Sequence, residues 1–200
     1  MKRLILVVLA GLAACASSEG SRLSTNDAIG PWQVRHLAEP GISVSLPCDP
    51  TSSTSTPQDG YGHTVHEIEL RCVKPLGGQD RAFFRVVRET FPSDPALARS
   101  DFEHYLSVVR VKPATGPTLQ IAGQQRETHV DYVLKQNKVG GDLGFHDLGD
   151  SCMWNFVGLD GETGVQAIMS LPQAMCPKGN EPIVTNVASK YFDSILLDAR

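Results

Sequence analysis

Apolar and polar residues alternate with a period of two along much of this 200-residue chain. Ile42, Val44 and Leu46 alternate with Ser43 and Ser45, the pattern of a strand with one buried face. Trp32 to Leu37 is a second short strand, set off by the turn-forming Glu39-Pro40-Gly41, and Pro47 ends the pair. Residues 49–60, rich in Pro, Ser, Thr and Gly, read as a loop with no share in the core. Strand character resumes from Thr64 to Val73, and Pro75 to Asp80 turns the chain. Arg81 to Thr90 is the strongest strand. It places Ala82, Phe84 and Val86 on one face and Phe83 and Val87 on the other, which predicts a central strand covered on both sides.

Helical spacing replaces this alternation twice. Asp94-Pro95 supplies a capping acceptor and a first-turn proline, and Ala98, Phe102, Tyr105, Leu106 and Val109 form a stripe that Lys112-Pro113 ends. Asn180 opens a second helix to Ser194, with Ile183, Val184, Val187, Ala188, Tyr191 and Ile195 on its apolar side. Between them, Thr118 to Ala122 and Gln124 to Leu134 read as strands around Gly123, and residues 135–150 as a Gly- and Asp-rich connection. Cys152 to Val157 and Val165 to Leu171 are strands joined by a hairpin at Asp160-Gly161. No internal repeat is present. The order of elements predicts an α+β fold with an antiparallel sheet, in one domain over residues 31–200.

The first residues change the picture from fold to location. Lys2 and Arg3 precede an apolar run from Leu4 to Ala14. As a helix it spans about 16 Å, half of a hydrocarbon core, so a cleaved export signal over residues 1–14 is expected rather than a membrane span. Leu12-Ala13-Ala14-Cys15 resembles the bacterial lipobox at every position. The resemblance implies a lipidated Cys15 thiol, cleavage before it, and acylation of the new amino terminus; Ala16 in place of Asp implies the outer membrane, on its periplasmic face. Two or more acyl chains, at about 0.8 kcal/mol per buried methylene, hold a protein durably. Residues 15–30 then read as the lipidated cysteine and a small, polar tether.

Without Lys2 and Arg3, the 18 basic residues fall to 16, against 22 acidic ones. No basic cluster remains, which argues against nucleic acid as a partner. With Cys15 set aside, Cys48, Cys72, Cys152 and Cys176 form an even set, read in an exported chain as two disulfides. Of three connectivities, pairing of sequence neighbours is favoured, more firmly for Cys152–Cys176, whose ends a hairpin brings together. Crossed pairing stays open for Cys48 and Cys72. No Cys-x-x-Cys or Cys-x-x-His spacing points to zinc.

Three stretches resemble segments of exported domains in the PsbP-like and DcrB-like sandwich family. Ile42-Ser43-Val44-Ser45-Leu46-Pro47-Cys48-Asp49-Pro50 is similar to their opening strand, with Cys48 where Gly is usual. The region around Gly123 is similar to the segment after their first helix, and Tyr191-Phe192-Asp193-Ser194-Ile195 to the close of their last. The resemblance implies a sheet with helices on both faces and a non-catalytic accessory or binding role. It brings no catalytic positions.

Candidate chemistry is sparse. Gly149-Asp150-Ser151 resembles the start of a GDSL hydrolase block, but no histidine follows His146, and a serine nucleophile needs a nearby base. His63 and His66 stand three apart, so on a strand they face opposite ways. Asp142, Asp147 and Asp150, near Asp160 and Glu162, lack the spacing of a calcium loop and are expected to be solvated. His36, His104, His129 and His146 show no local partner pattern, and Trp32 and Trp154 read as packing. No catalytic residue, metal or cofactor is therefore expected. The expected function is that of a non-catalytic, membrane-anchored envelope lipoprotein with a protein partner; the alternative is a lipoprotein binding a small molecule or lipid in a groove between sheet and helix.

Overall fold

The computed structural model describes residues 28–37, 41–58, 64–91, 96, 98–100, 102–104, 126–161 and 163–198. Cys15, His63, Asp94-Pro95, Tyr105, Leu106, Val109, the strand expected at Thr118 to Ala122, and Glu162 lie outside them. The described chain forms strands β1 (Gln33–Leu37), β2 (Ile42–Leu46), β3 (Thr51–Ser55), β4 (His66–Gly77), β5 (Asp80–Thr90), β6 (Arg126–Leu134), β7 (Val139–Asp147), β8 (Ser151–Asp160) and β9 (Thr163–Pro172). Helix α1 (Asn186–Phe192) and the short β10 (Leu196–Leu197) follow.

Seven strands make one antiparallel sheet in the order β3-β4-β5-β9-β8-β7-β6, and β1-β2-β10 make a second. Cross-strand partners in the large sheet share a face, so the register sorts its side chains cleanly. Ile68, Leu70, Phe84, Val86, Ala167, Met169, Trp154, Phe156, Leu143 and Phe145 all point inward and are buried. Against them pack Ile42, Val44 and Leu46 of β2 and Val187, Ala188, Tyr191 and Phe192 of α1. The Tyr191 ring meets Phe84 edge-on at 5.2 Å, and its hydroxyl donates to the Arg85 carbonyl at 2.5 Å. The Trp154 indole N–H donates to the Ile183 carbonyl at 2.7 Å. The polar ends of Tyr191 and Trp154 thus have partners, as burial requires.

The α+β fold expected from the element order, with the helices on both faces that the family resemblance implies, is not what forms. Among the described residues strand accounts for 59% and helix for 14%. Two stretches read as loops are strands. Thr51–Ser55 pairs with β4 as an edge strand exposed at every position, so it carries no apolar alternation to detect. Val139–Asp147, inside the supposed 135–150 connection, pairs along its length with β6 and β7's other neighbour, β8. The last helix is shorter than expected: Thr185, not Asn180, caps it, accepting from Ala188 N at 3.2 Å. Ile183 buries its side chain from irregular chain instead. Of the helix expected from Asp94, residues 98–100 and 102–104 are helical, and Ala98 packs with Val65 and Phe91.

The cysteines pair as sequence neighbours. Cys48–Cys72 ties the end of β2 to β4, and Cys152–Cys176 ties β8 to the turn after β9; each spans a sequence separation of 24. Constraining loops of that length in the unfolded chain is worth about 3.5 kcal/mol each in the chain-entropy account.

The glycines of β7 are built into the packing. Gly141 lies directly opposite Gly158 on β8, and the buried Phe156 ring crosses the gap where two side chains would stand. A β-carbon on Gly158 would meet Phe156 Cζ at 2.6 Å and the Gly140 carbonyl oxygen at 3.0 Å. Gly158→Ala is therefore expected to cost about 1–3 kcal/mol by overpacking, lowering Tm by roughly 2–10 °C. Gly140→Ala, where a β-carbon meets nothing within 4 Å, should leave Tm within about 2 °C, since exposed substitutions are usually within about 0.5 kcal/mol. Thermal unfolding followed by circular dichroism checks the pair.

Candidate functional site

With the inner face committed to the core, polar chemistry falls on the outer face of the large sheet. One cluster that combines histidines with carboxylates is at the β6–β7 end. Successive outward positions on β6 are Glu127, His129 and Asp131, because residues two apart share a face. The register sets His146 opposite Glu127, Gly144 opposite His129, and Asp142 opposite Asp131.

The side chains converge. His129 Nδ1 lies 2.7 Å from Asp142 Oδ2, and its Nε2 lies 3.2 Å from Glu127 Oε1. His146 Nδ1 is 3.7 Å from the same Glu127 oxygen. The two imidazoles meet edge to face, with centroids 5.9 Å apart. Asp142 is only 2% exposed and so is desolvated, whereas Glu127 is 42% exposed in its side chain and opens to water. A depression of about 280 Å³ beside them is lined by His129, Val130, Asp131 and Asp142. Glu127, His129 and His146 each offer one ligand atom, all within 4.8 Å of one another.

The two histidines have opposed proton affinities. Burial works against the charge on His129, but its hydrogen bonds to Asp142 and Glu127 outweigh that and hold its pKa above the ordinary 6.5. For His146 burial is the largest influence and Glu127 only partly offsets it, so its pKa stays below 6.5. Of the pair, His129 thus holds its proton more tightly than His146. The signs for stability follow. The His129 contribution is fully present below pH 6.5 and is lost as pH rises through its raised folded-state pKa. The His146 contribution is present above pH 6.5 and is lost as pH falls through its lowered one.

Other residues singled out in the sequence do not assemble. The Ser151 hydroxyl donates to Asp150 Oδ1 at 2.7 Å, and Asp147 accepts from Gly149 N at 3.0 Å, so both carboxylates close a local turn. Asp142, expected to be solvated, is instead buried beneath His129 because its stretch is strand rather than loop. His36 Nδ1 pairs with Ser43 Oγ at 2.8 Å, His66 is exposed on β4, and His104 sits in a helical turn. Trp32 packs edge-on against Phe84 at 5.3 Å, with Lys190 Nζ 5.3 Å from its ring centroid.

No local motif in the sequence marks His129 and His146 as a pair. The available signal was Glu127-x-His129 on a strand, together with a hairpin that, once Leu134 pairs with Val139, carries His146 opposite Glu127. No protein-family model matches the chain, and no curated protein is significantly similar to it.

In the metal-free protein, an NMR pH titration of the imidazole resonances should show His129 titrating above pH 6.5 and His146 below it. Asp142→Asn removes the charge that holds the proton, so the His129 midpoint should fall; an unchanged midpoint would mean that Asp142 does not set it.

Proposed function

We propose that the protein is a lipid-anchored binding protein of the cell envelope, held at the periplasmic face of the outer membrane by Cys15 and acting as a non-catalytic accessory to a protein partner. The observation that carries this reading is the cysteine usage. The four cysteines of the domain are consumed in two disulfides, bonds that persist in oxidising compartments, which leaves Cys15 of Leu12-Ala13-Ala14-Cys15 for thioether formation.

Packing favours a surface partner over a ligand held between sheet and helix. That space is filled by Phe84, Phe156, Tyr191 and Phe192, each fully buried. The partner therefore meets the outside of the domain, and a tether from Cys15 that ends before Ile29, whose side chain is fully buried in the core, sets its reach from the membrane.

Expressed in a bacterium, the wild-type chain should fractionate with membranes and release only into detergent. Its intact mass should equal residues 15–200 plus a diacylglycerol and an acyl chain. Cys15→Ser should yield an unlipidated chain in the soluble fraction. An unmodified wild-type mass would refute the anchor, and absence of any reproducible crosslinked protein adduct on intact cells would refute the accessory role.

A further inference from the structure

We infer that Glu127, His129 and His146 form a binding site for a divalent transition-metal ion of the zinc class, with Asp142 orienting His129 from beneath. The inference is independent of the anchor and of the protein partner.

Spacing is the first support. Ligands about 2.0–2.1 Å from a tetrahedral metal stand about 3.3 Å apart. Glu127 Oε1 lies 3.2 Å from His129 Nε2 and 3.7 Å from His146 Nδ1. An ion can therefore enter with small side-chain rotations and no movement of the strands.

Donor chemistry sets the class of ion. Two imidazoles and one carboxylate suit zinc, copper, nickel or iron, whereas calcium and magnesium favour shells made of oxygen alone. The cysteines, all four of the domain being in disulfides, offer no competing thiolate site.

Second, the support beneath the ligands matches what a metal site needs. A ligating histidine almost always gives its other ring N–H to a carboxylate or carbonyl, which fixes both tautomer and ring orientation. Asp142 Oδ2 is placed to accept that bond, 2.7 Å from His129 Nδ1, leaving Nε2 directed at Glu127. This carboxylate is itself nearly fully buried, so its place is set by the sheet rather than by solvent.

Third, the backbone makes room. A β-carbon at residue 144 would lie 2.9 Å from His129 Cε1 and 3.3 Å from His146 Nε2. Glycine there lets two imidazoles share one patch of sheet. Three protein ligands leave at least one coordination position, which opens toward water on the side of the half-exposed Glu127.

The test uses the full chain, purified in detergent without a polyhistidine tag. Calorimetric titration with zinc chloride should show one ion per chain with a Kd of micromolar or tighter. Calcium and magnesium should give no saturable heat. Glu127→Gln and His146→Gln should each weaken zinc at least tenfold. Asp142→Asn, which touches no metal, should weaken it about 10- to 100-fold. Should a variant lose its circular dichroism spectrum, the wild type still decides: zinc must shift the imidazole resonances of His129 and His146 and leave those of His36 and His66 in place. No saturable zinc binding, an affinity unchanged in both ligand variants, or shifts confined to other histidines would overturn the assignment.

Discussion

Contact between the inner face of the seven-stranded sheet and the layer formed by α1 and the small sheet is the interaction on which everything else in the domain rests. Phe84 and Phe156 come from the large sheet, and Tyr191 and Phe192 from the helix; all four are fully buried, and Phe156 lies 6.5 Å from Phe192. Full burial of a large apolar side chain is worth about 1.5–3 kcal/mol, so this group alone is comparable to the net stability of a domain before conformational entropy is counted. The covalent and polar ties gather at the same seam. Cys48–Cys72 crosses it, and the buried Arg88 guanidinium donates to the Gly41 carbonyl at 3.1 Å and the Asp198 carbonyl at 3.4 Å. Ser45 N donates to Ser194 Oγ at 2.9 Å, which joins the opening strand stretch to the end of the helix.

Burying one face determines what the other can carry. In a strand each residue chooses a side by parity, and a slip of one position would exchange the faces. Leu134 and Val139 are buried at the mouth of the β6–β7 hairpin and pair with each other, which locks the register. With that register, Glu127, His129 and His146 face outward together and Leu143 and Phe145 face inward. The same alternation that builds the core therefore assembles the cluster.

Much of this was legible in the sequence where polarity alternates. Ile42–Leu46 matches its strand at both ends, and β5 and the β8–β9 hairpin at Asp160-Gly161 lie within a few residues of where the pattern puts them. The differences have a common physical cause: composition does not fix conformation. Ser and Thr at Thr51–Ser55 need no buried face at an exposed edge. Glycines at 140, 141 and 144 look like loop residues, yet two of them clear space for Phe156 and for the imidazoles. The site depends on that strand as well, since Glu127, His129 and His146 meet only through its pairing. The helix at the end was overextended because its apolar stripe includes Ile183, which reaches the core from irregular chain.

Together these features describe a mostly β domain, stiffened by two disulfides, with a cluster of ionisable side chains on the outer face at the β6–β7 edge of its large sheet, on a chain proposed to be tethered to the envelope. Strand register, not a local motif, creates the proposed metal site there. Crystals of the protein grown with zinc, with data collected at the zinc absorption edge, test this most directly. One anomalous peak among Glu127, His129 and His146, with Glu127 opposite His146 across the β6–β7 ladder, is the expected result. A peak elsewhere, no peak, or a register that turns His129 toward the core would contradict it.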